Sequence, residues 1–172
     1  MPPDLGRVSA DYLAEYVDRL QRAVAALPPA DTWWAPHAAA LSVGNILTHL
    51  DGNVRQWILS GIGQAPDGRD RAAEFSTTAG AQASELLTDL SVTVEAAREV
   101  IAGMGADDMQ GSFEIQGNRI SGWEAVYHVI EHFSWHTGQV VWIAKYRAGD
   151  GHGLAFFDDA KINAQQNRRP SE

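Results

Sequence analysis

Ser121-Gly-Trp-Glu124-Ala-Val-Tyr-His128-Val-Ile-Glu-His132-Phe-Ser-Trp-His136-Thr-Gly138-Gln139 decides how the rest of the chain is read. Ser121 and Glu124 have the spacing of a capping box, in which the serine oxygen takes a free backbone N–H and the glutamate reaches back to the serine's own. The spacing predicts a helix from 122 to about Arg147, with Gly149 as its stop. Apolar residues, among them Val126, Ile130, Val140, Val141 and Ile143, fall almost all round it. Such a helix is covered by neighbours, within a bundle or across a subunit interface. His128, His132 and His136 follow one another at four-residue steps, each turning the side chain by only about 40°, so the three share a face. Imidazoles at i and i+4 can converge on one ion at about 2.0–2.1 Å. Two such steps span about 12 Å, so the pair on one ion is 128/132 or 132/136, not all three.

Working outward, Tyr12, Leu13, Tyr16, Val17, Leu20, Val24 and Leu27 recur at helical spacing and predict a helix over 8–27, ended by Pro28-Pro29. A polar-aromatic linker, 31–37, follows. Ser42 stands where an N-cap belongs, and Val43, Ile46, Leu47, Leu50, Val54, Trp57 and Ile58 predict a second helix over 42–60. Residues 61–80, rich in Gly, Asp and Thr, read as a loop. A third helix is expected over 81–102 on Leu86, Leu87, Leu90, Val94, Ala97 and Ile101. Alternation in 113–120 around Gly117-Asn118 predicts a short β-hairpin, with any strand confined to 112–120. The expectation is all-α: a four-helix bundle with that hairpin before the last helix, one domain over 1–172, and a surface tail over 150–172.

The chain has 172 residues, 45% of them apolar, enough for a core that needs neither disulfide nor metal to fold. A net charge of -9 without a basic patch argues against nucleic-acid binding. With no cysteine, no thiol nucleophile, thiolate ligand or disulfide belongs to the protein. Met1-Pro2-Pro3-Asp4 carries no basic-then-apolar signal and no apolar run approaches the roughly 18 residues of a bilayer span, so a cytoplasmic protein without a membrane partner is expected.

A further ligand must come from another helix, and His49 is the candidate. It sits at the edge of the second apolar stripe with Asn53 and Gln56 on the same flank, where a polar side chain can look into a cleft between helices. An i,i+4 histidine pair alone is modest evidence of a site, because a buried histidine is more often a satisfied hydrogen-bonding group. His128 reads as a group supporting the ligands, and His37 and His152 as solvated. Gln139 is placed to fix an imidazole or touch a ligand. Gly138 reads as a point of close helix approach, Trp57 and Trp135 as core filling before pocket walls.

His132-Phe-Ser-Trp-His136-Thr-Gly138-Gln139 resembles the last-helix signature of the DinB-like metal-binding four-helix bundles, a His-x-x-x-His-x-Gly-Gln run. Asn45-Ile-Leu-Thr-His49-Leu-Asp-Gly-Asn53-Val-Arg-Gln56 resembles the segment that carries that family's first ligand. The layout of the whole chain is similar to an uncharacterised subgroup. The resemblance implies metal ligation by His49, His132 and His136, and a bundle that is often a homodimer.

Three histidines leave a coordination position open, unlike closed structural zinc sites with four protein ligands. Zinc and nickel head the candidates, with manganese and iron also compatible with imidazole. The open position suits two reactions on a small-molecule substrate. One is hydrolysis by an activated water. The other uses a low-molecular-weight thiol held as thiolate, as in thiol-dependent transferases of the resembled fold. Hydrolysis wants a base. Glu131 points about 100° away from His132, Glu124 is two turns off, and Glu15 or Asp18 on the first helix are not singled out. That favours the thiol reading over the hydrolase, with a non-enzymatic metal-binding or dimerisation module as the third alternative.

Overall fold

The structure, a computed structural model, describes residues 5–166. The expectations that fall on residues 1–4, and on the part of the surface tail at 167–172, lie outside the described residues. Seven α-helices and one hairpin are described: α1 Leu5–Ala26, α2 Val43–Val54, α3 Arg71–Ser76, α4 Ala83–Gly103, α5 Ala106–Gln110, α6 Gly122–Ala148 and α7 Asp159–Gln166, with β1 Ser112–Ile115 and β2 Asn118–Ser121 before α6. The chain is thus mostly helical, as the periodicities require.

Four helices correspond to the four expected, and their apolar stripes meet in one core. α1 and α2 each lie against both α4 and α6. Leu13 and Leu20 of α1, Ile46, Leu47 and Leu50 of α2, Leu90 and Ile101 of α4 and Phe133 of α6 are almost fully buried. The caps stand where the sequence puts them. Ser42 accepts from Asn45 N and Ser121 from Glu124 N, each completing a reciprocal box. Gly149 ends α6 at φ 71°, a conformation that a side chain disfavours. No helix of the described residues is long and apolar enough to cross a membrane.

Several features differ from the expectations, the short helices α5 and α7 among them. The second helix is α-helical only to Val54; Arg55–Ser60 form a π-helical turn, with Gly61 N donating to Gln56 O. The expected loop over 61–80 contains α3, capped by Asp70, which accepts from Ala73 N. It was hidden because two turns are too short for a stripe and its buried residue is Glu74, not an apolar one. The hairpin turns on Gln116-Gly117 rather than Gly117-Asn118, both residues taking positive φ (53° and 74°), and Asn118 opens the second strand. The tail is anchored as well as exposed: Leu154 is buried and Arg22 donates to Ala155 O.

Candidate metal centre

His49, in mid-α2, and His132 and His136, one turn apart on α6, are brought together. One ring nitrogen from each lies within 4.8 Å of the others, close enough to hold a metal ion. The Nε2 atoms of His49 and His132 are 2.8 Å apart. His49 and His136 are buried and His132 is half-buried. The i,i+4 step that the sequence left open between two pairs is therefore 132/136 in this cluster.

Two of the rings have their outer nitrogens occupied. His49 Nδ1 donates to Glu74 Oε2 at 2.7 Å, and His136 Nδ1 donates to Gln139 Oε1 at 2.7 Å. Each bond places the ring proton on Nδ1 and leaves Nε2 as a lone pair, the state in which imidazole binds metal. A carboxylate behind a ligating histidine also raises its basicity and fixes its plane. Gln139 thus does what its spacing suggested, fixing an imidazole.

Glu74 is held in turn. Arg69 Nε and Nη2 donate to its two carboxylate oxygens at 2.6 and 2.9 Å, and both side chains are buried. Arg69 Nη2 also lies 3.2 Å from His49 Nδ1, but with that nitrogen protonated toward Glu74 the pair is a contact between donors rather than a hydrogen bond. Gln56 Oε1 accepts from Arg69 Nη1, and Gln56 Nε2 donates to Asp67. α2 can press against this pair only because residue 52 is glycine, since a Cβ there would fall on Glu74 Oε1 and within 3.0 Å of Arg69 Nε.

The electrostatics favour neutral imidazoles. Burial pushes His49 below its ordinary range, only partly offset by the hydrogen bond and charge of Glu74. His136 is lowered by burial against the opposing Gln139 bond. His132 falls furthest, to about 3, through burial and then the nearby His136, His49 and His128. For Glu74, burial would raise the carboxyl, but the Arg69 and His49 hydrogen bonds outweigh it and the net shift is downward. Neutral imidazoles, two of them with an Nε2 lone pair, beside an ionised, neutralised carboxylate fit a divalent transition metal.

The other candidates are placed elsewhere. His128 lies outside the three-nitrogen cluster, stacked on Trp57 at 3.8 Å between centroids and lowered by burial. Trp57 is buried as a core residue, but Trp135 is 64% exposed and lines a cavity of about 520 Å³ with Trp142, Gly138, Gln139 and Ile46. A Cβ at Gly138 would meet nothing within 4 Å among the described residues, so none of their helices packs closely against it. Glu15 pairs with Arg19, and Asp18 faces the α1–α4 groove, so neither joins the cluster. Glu131 is exposed beside Tyr127 and Trp135. His37 is exposed, whereas His152 is half-buried and its Nδ1 accepts from Leu154 N, which corrects its reading as solvated.

The sequence reading missed Glu74, Arg69 and Gly52. One signal was available: Asp70 before Arg71-Ala72-Ala73-Glu74 is an N-cap residue followed by good helix formers.

No curated protein matches the chain significantly. Residues 7–153 match the model of a family described as a protein of unknown function, DUF1572, a span that includes α2, α3, α4 and α6 with the whole histidine cluster. The chain belongs to the DUF1572 family.

Proposed function

We propose that this chain is a divalent-metal-binding protein of DinB-like four-helix-bundle type, with His49, His132 and His136 as ligands and an open position for exchangeable chemistry. One observation carries the reading: three inward nitrogens within 4.8 Å, two of whose rings are locked from behind by Glu74 and Gln139. Zinc or nickel is the proposed ion, since the donors are all imidazole and no carboxylate is in the set.

The proposed activity is a metal-dependent transfer reaction using a low-molecular-weight thiol on a small-molecule substrate. When bound, the ion supplies Lewis acidity at its open position, favouring the deprotonated form of a thiol placed there. The protein's part is to keep the imidazoles neutral by burial and to hold two of them in plane. Hydrolysis is the weaker reading, because Glu74, the buried carboxylate beside the cluster, already binds Arg69 and His49 and is not free to take a proton from water.

The proposal includes assembly as a homodimer. Tyr127, Trp135, Trp142 and Tyr146 are each more than half exposed and fall within a stripe about 100° wide on α6, with Gly138 between them. Aromatic stripes of this kind are characteristic of interfaces rather than of free surface.

The test is metal analysis of the purified chain followed by titration of the loaded protein with thiols. One ion per chain and saturable thiol binding support the enzyme; one ion without any thiol response supports the non-enzymatic module.

A further inference from the structure

The metal cluster is one end of a longer ladder between two helices. His49, Asn53 and Trp57 follow at four-residue steps along α2 and its π-helical turn, and they face His136, His132 and His128, which follow at the same step along α6. At one end the His49 ring lies 5.1 Å from His136 and 4.9 Å from His132. At the other, Asn53 Nδ2 lies 3.4 Å from His128 Nε2, and the Trp57 ring stacks on His128, which in turn stacks on His132 at 5.4 Å. The second end is therefore polar, and it adjoins the first through His132.

Two atoms in this second end have no hydrogen-bond partner among the described residues: Asn53 Oδ1 and Trp57 Nε1. Asn53 is 4% and Trp57 8% exposed, so bulk water does not serve them. Buried polar atoms are nearly always paired, and a packing role alone would be filled better by an apolar residue. The unmet needs are complementary, one acceptor and one donor on successive turns of the same helix face. The donor is carried on the π-helical turn, a distortion frequent at functional sites.

We propose that Asn53, Trp57 and His128 form a polar subsite that receives the hydroxyl or amide group of a ligand whose donor atom occupies the open metal position. A hydroxyl or primary amide both donates and accepts and so satisfies both atoms. A carboxylate only accepts, leaving Asn53 Oδ1 opposed by another lone pair, and an ammonium only donates, leaving Trp57 N–H unmet. The subsite thus selects neutral, hydroxylated or amidated ligands over charged ones. This inference rests on the metal reading above.

The experiment uses the full chain loaded with cobalt(II), whose absorption reports thiolate coordination, titrated with 2-mercaptoethanol, ethanethiol and mercaptoacetate. The expected result is that 2-mercaptoethanol binds about tenfold more tightly than either of the others, the scale of hydrogen bonds gained in a buried site. The ratio should fall to about one in Trp57→Phe, which keeps an aromatic ring in the stack while removing the N–H, and in Asn53→Leu. Equal affinities for 2-mercaptoethanol and ethanethiol in the wild-type chain would show that the hydroxyl gains nothing from Asn53 and Trp57, and would overturn the inference while leaving the metal site standing. Preference for mercaptoacetate would overturn it as well. Failure of cobalt to load at all would overturn the metal reading and this inference together.

Discussion

His49 Nδ1 lies 2.7 Å from Glu74 Oε2, with neither side chain more than 5% exposed. The contact joins the middle of α2 to a two-turn helix 25 residues further along the chain. It points the other nitrogen of His49 at His132 and His136. Because Arg69 binds the same carboxylate through both oxygens, Glu74 stays ionised while buried, which an unpaired carboxylate would not. The proposed metal centre is thereby built from α2, α3 and α6, although the three nitrogens come from α2 and α6 alone.

Glu74→Gln should weaken metal affinity by about 10–100-fold without abolishing it, since the amide keeps the shape but donates no charge to the imidazole. Competition against a chelator of known affinity measures this. Unchanged affinity would remove Glu74 from the site. Arg69→Met should do more damage to folding than to binding, because it leaves a buried carboxylate short of its main partner, a loss of about 3 kcal/mol.

Gly52→Ala separates intrinsic helix propensity from the packing seen here. On propensity alone alanine stabilises a helix interior by about 1 kcal/mol relative to glycine. In this fold the new Cβ would fall on Glu74 Oε1, so the expected outcome is net destabilisation by about 2 kcal/mol, together with reduced metal affinity. Urea unfolding of the metal-free variant decides the sign.

The metal-free protein should lose stability as pH falls from 7 toward 5. His49, His132 and His136 are all held below their ordinary value in the folded state, so above about pH 6.5 they are neutral in both states and their contribution is constant. Below it the unfolded chain takes up protons that the folded chain refuses. Each such histidine then costs up to about 1.4 kcal/mol per pH unit, for His132 down to about pH 3. Thermal midpoints of the chelated protein should be flat from pH 8 to 7 and fall by pH 5; a rise over that interval would contradict the assignment. Saturating metal should raise the midpoint at pH 7.5, and its removal should leave the helical circular dichroism largely intact.

The long helices were legible because each buries a stripe whose period is written in Leu, Val and Ile, and because Ser42 and Ser121 mark where α2 and α6 begin. The histidine pair on α6 was legible in spacing, but choosing 132/136 over 128/132 needed the position of His49 across the cleft. Glu74 and Arg69 were not legible. Their value comes from a tertiary approach that no local period records, made through α3, whose buried face is a charge. The exposure of Trp135 misled for the opposite reason: it lies in an apolar run, yet it stands at the rim of the cavity it shares with Ile46 and stays largely exposed.

That exposed side of α6 gives the assembly prediction. Light scattering at micromolar concentration should report a dimer for the wild-type chain, and Trp135→Ser combined with Trp142→Ser should shift it to monomer. Both residues are more than half exposed in the single chain, so the double variant should keep its thermal midpoint within a few degrees once monomeric controls are compared. A wild-type monomer would remove the dimer from the proposal.

Metal content per chain, measured by elemental analysis at about pH 7.5 where the imidazoles are neutral, bears most directly on the metal centre. The wild-type chain should carry one divalent transition-metal ion. His49→Ala, His132→Ala and His136→Ala should each lose most of it, while His128→Ala, stacked on Trp57 outside the cluster, should retain much more. Full occupancy in His49→Ala would show that α2 does not contribute a ligand, and loss in His128→Ala equal to that in the other three would contradict the cluster of His49, His132 and His136 as the metal site.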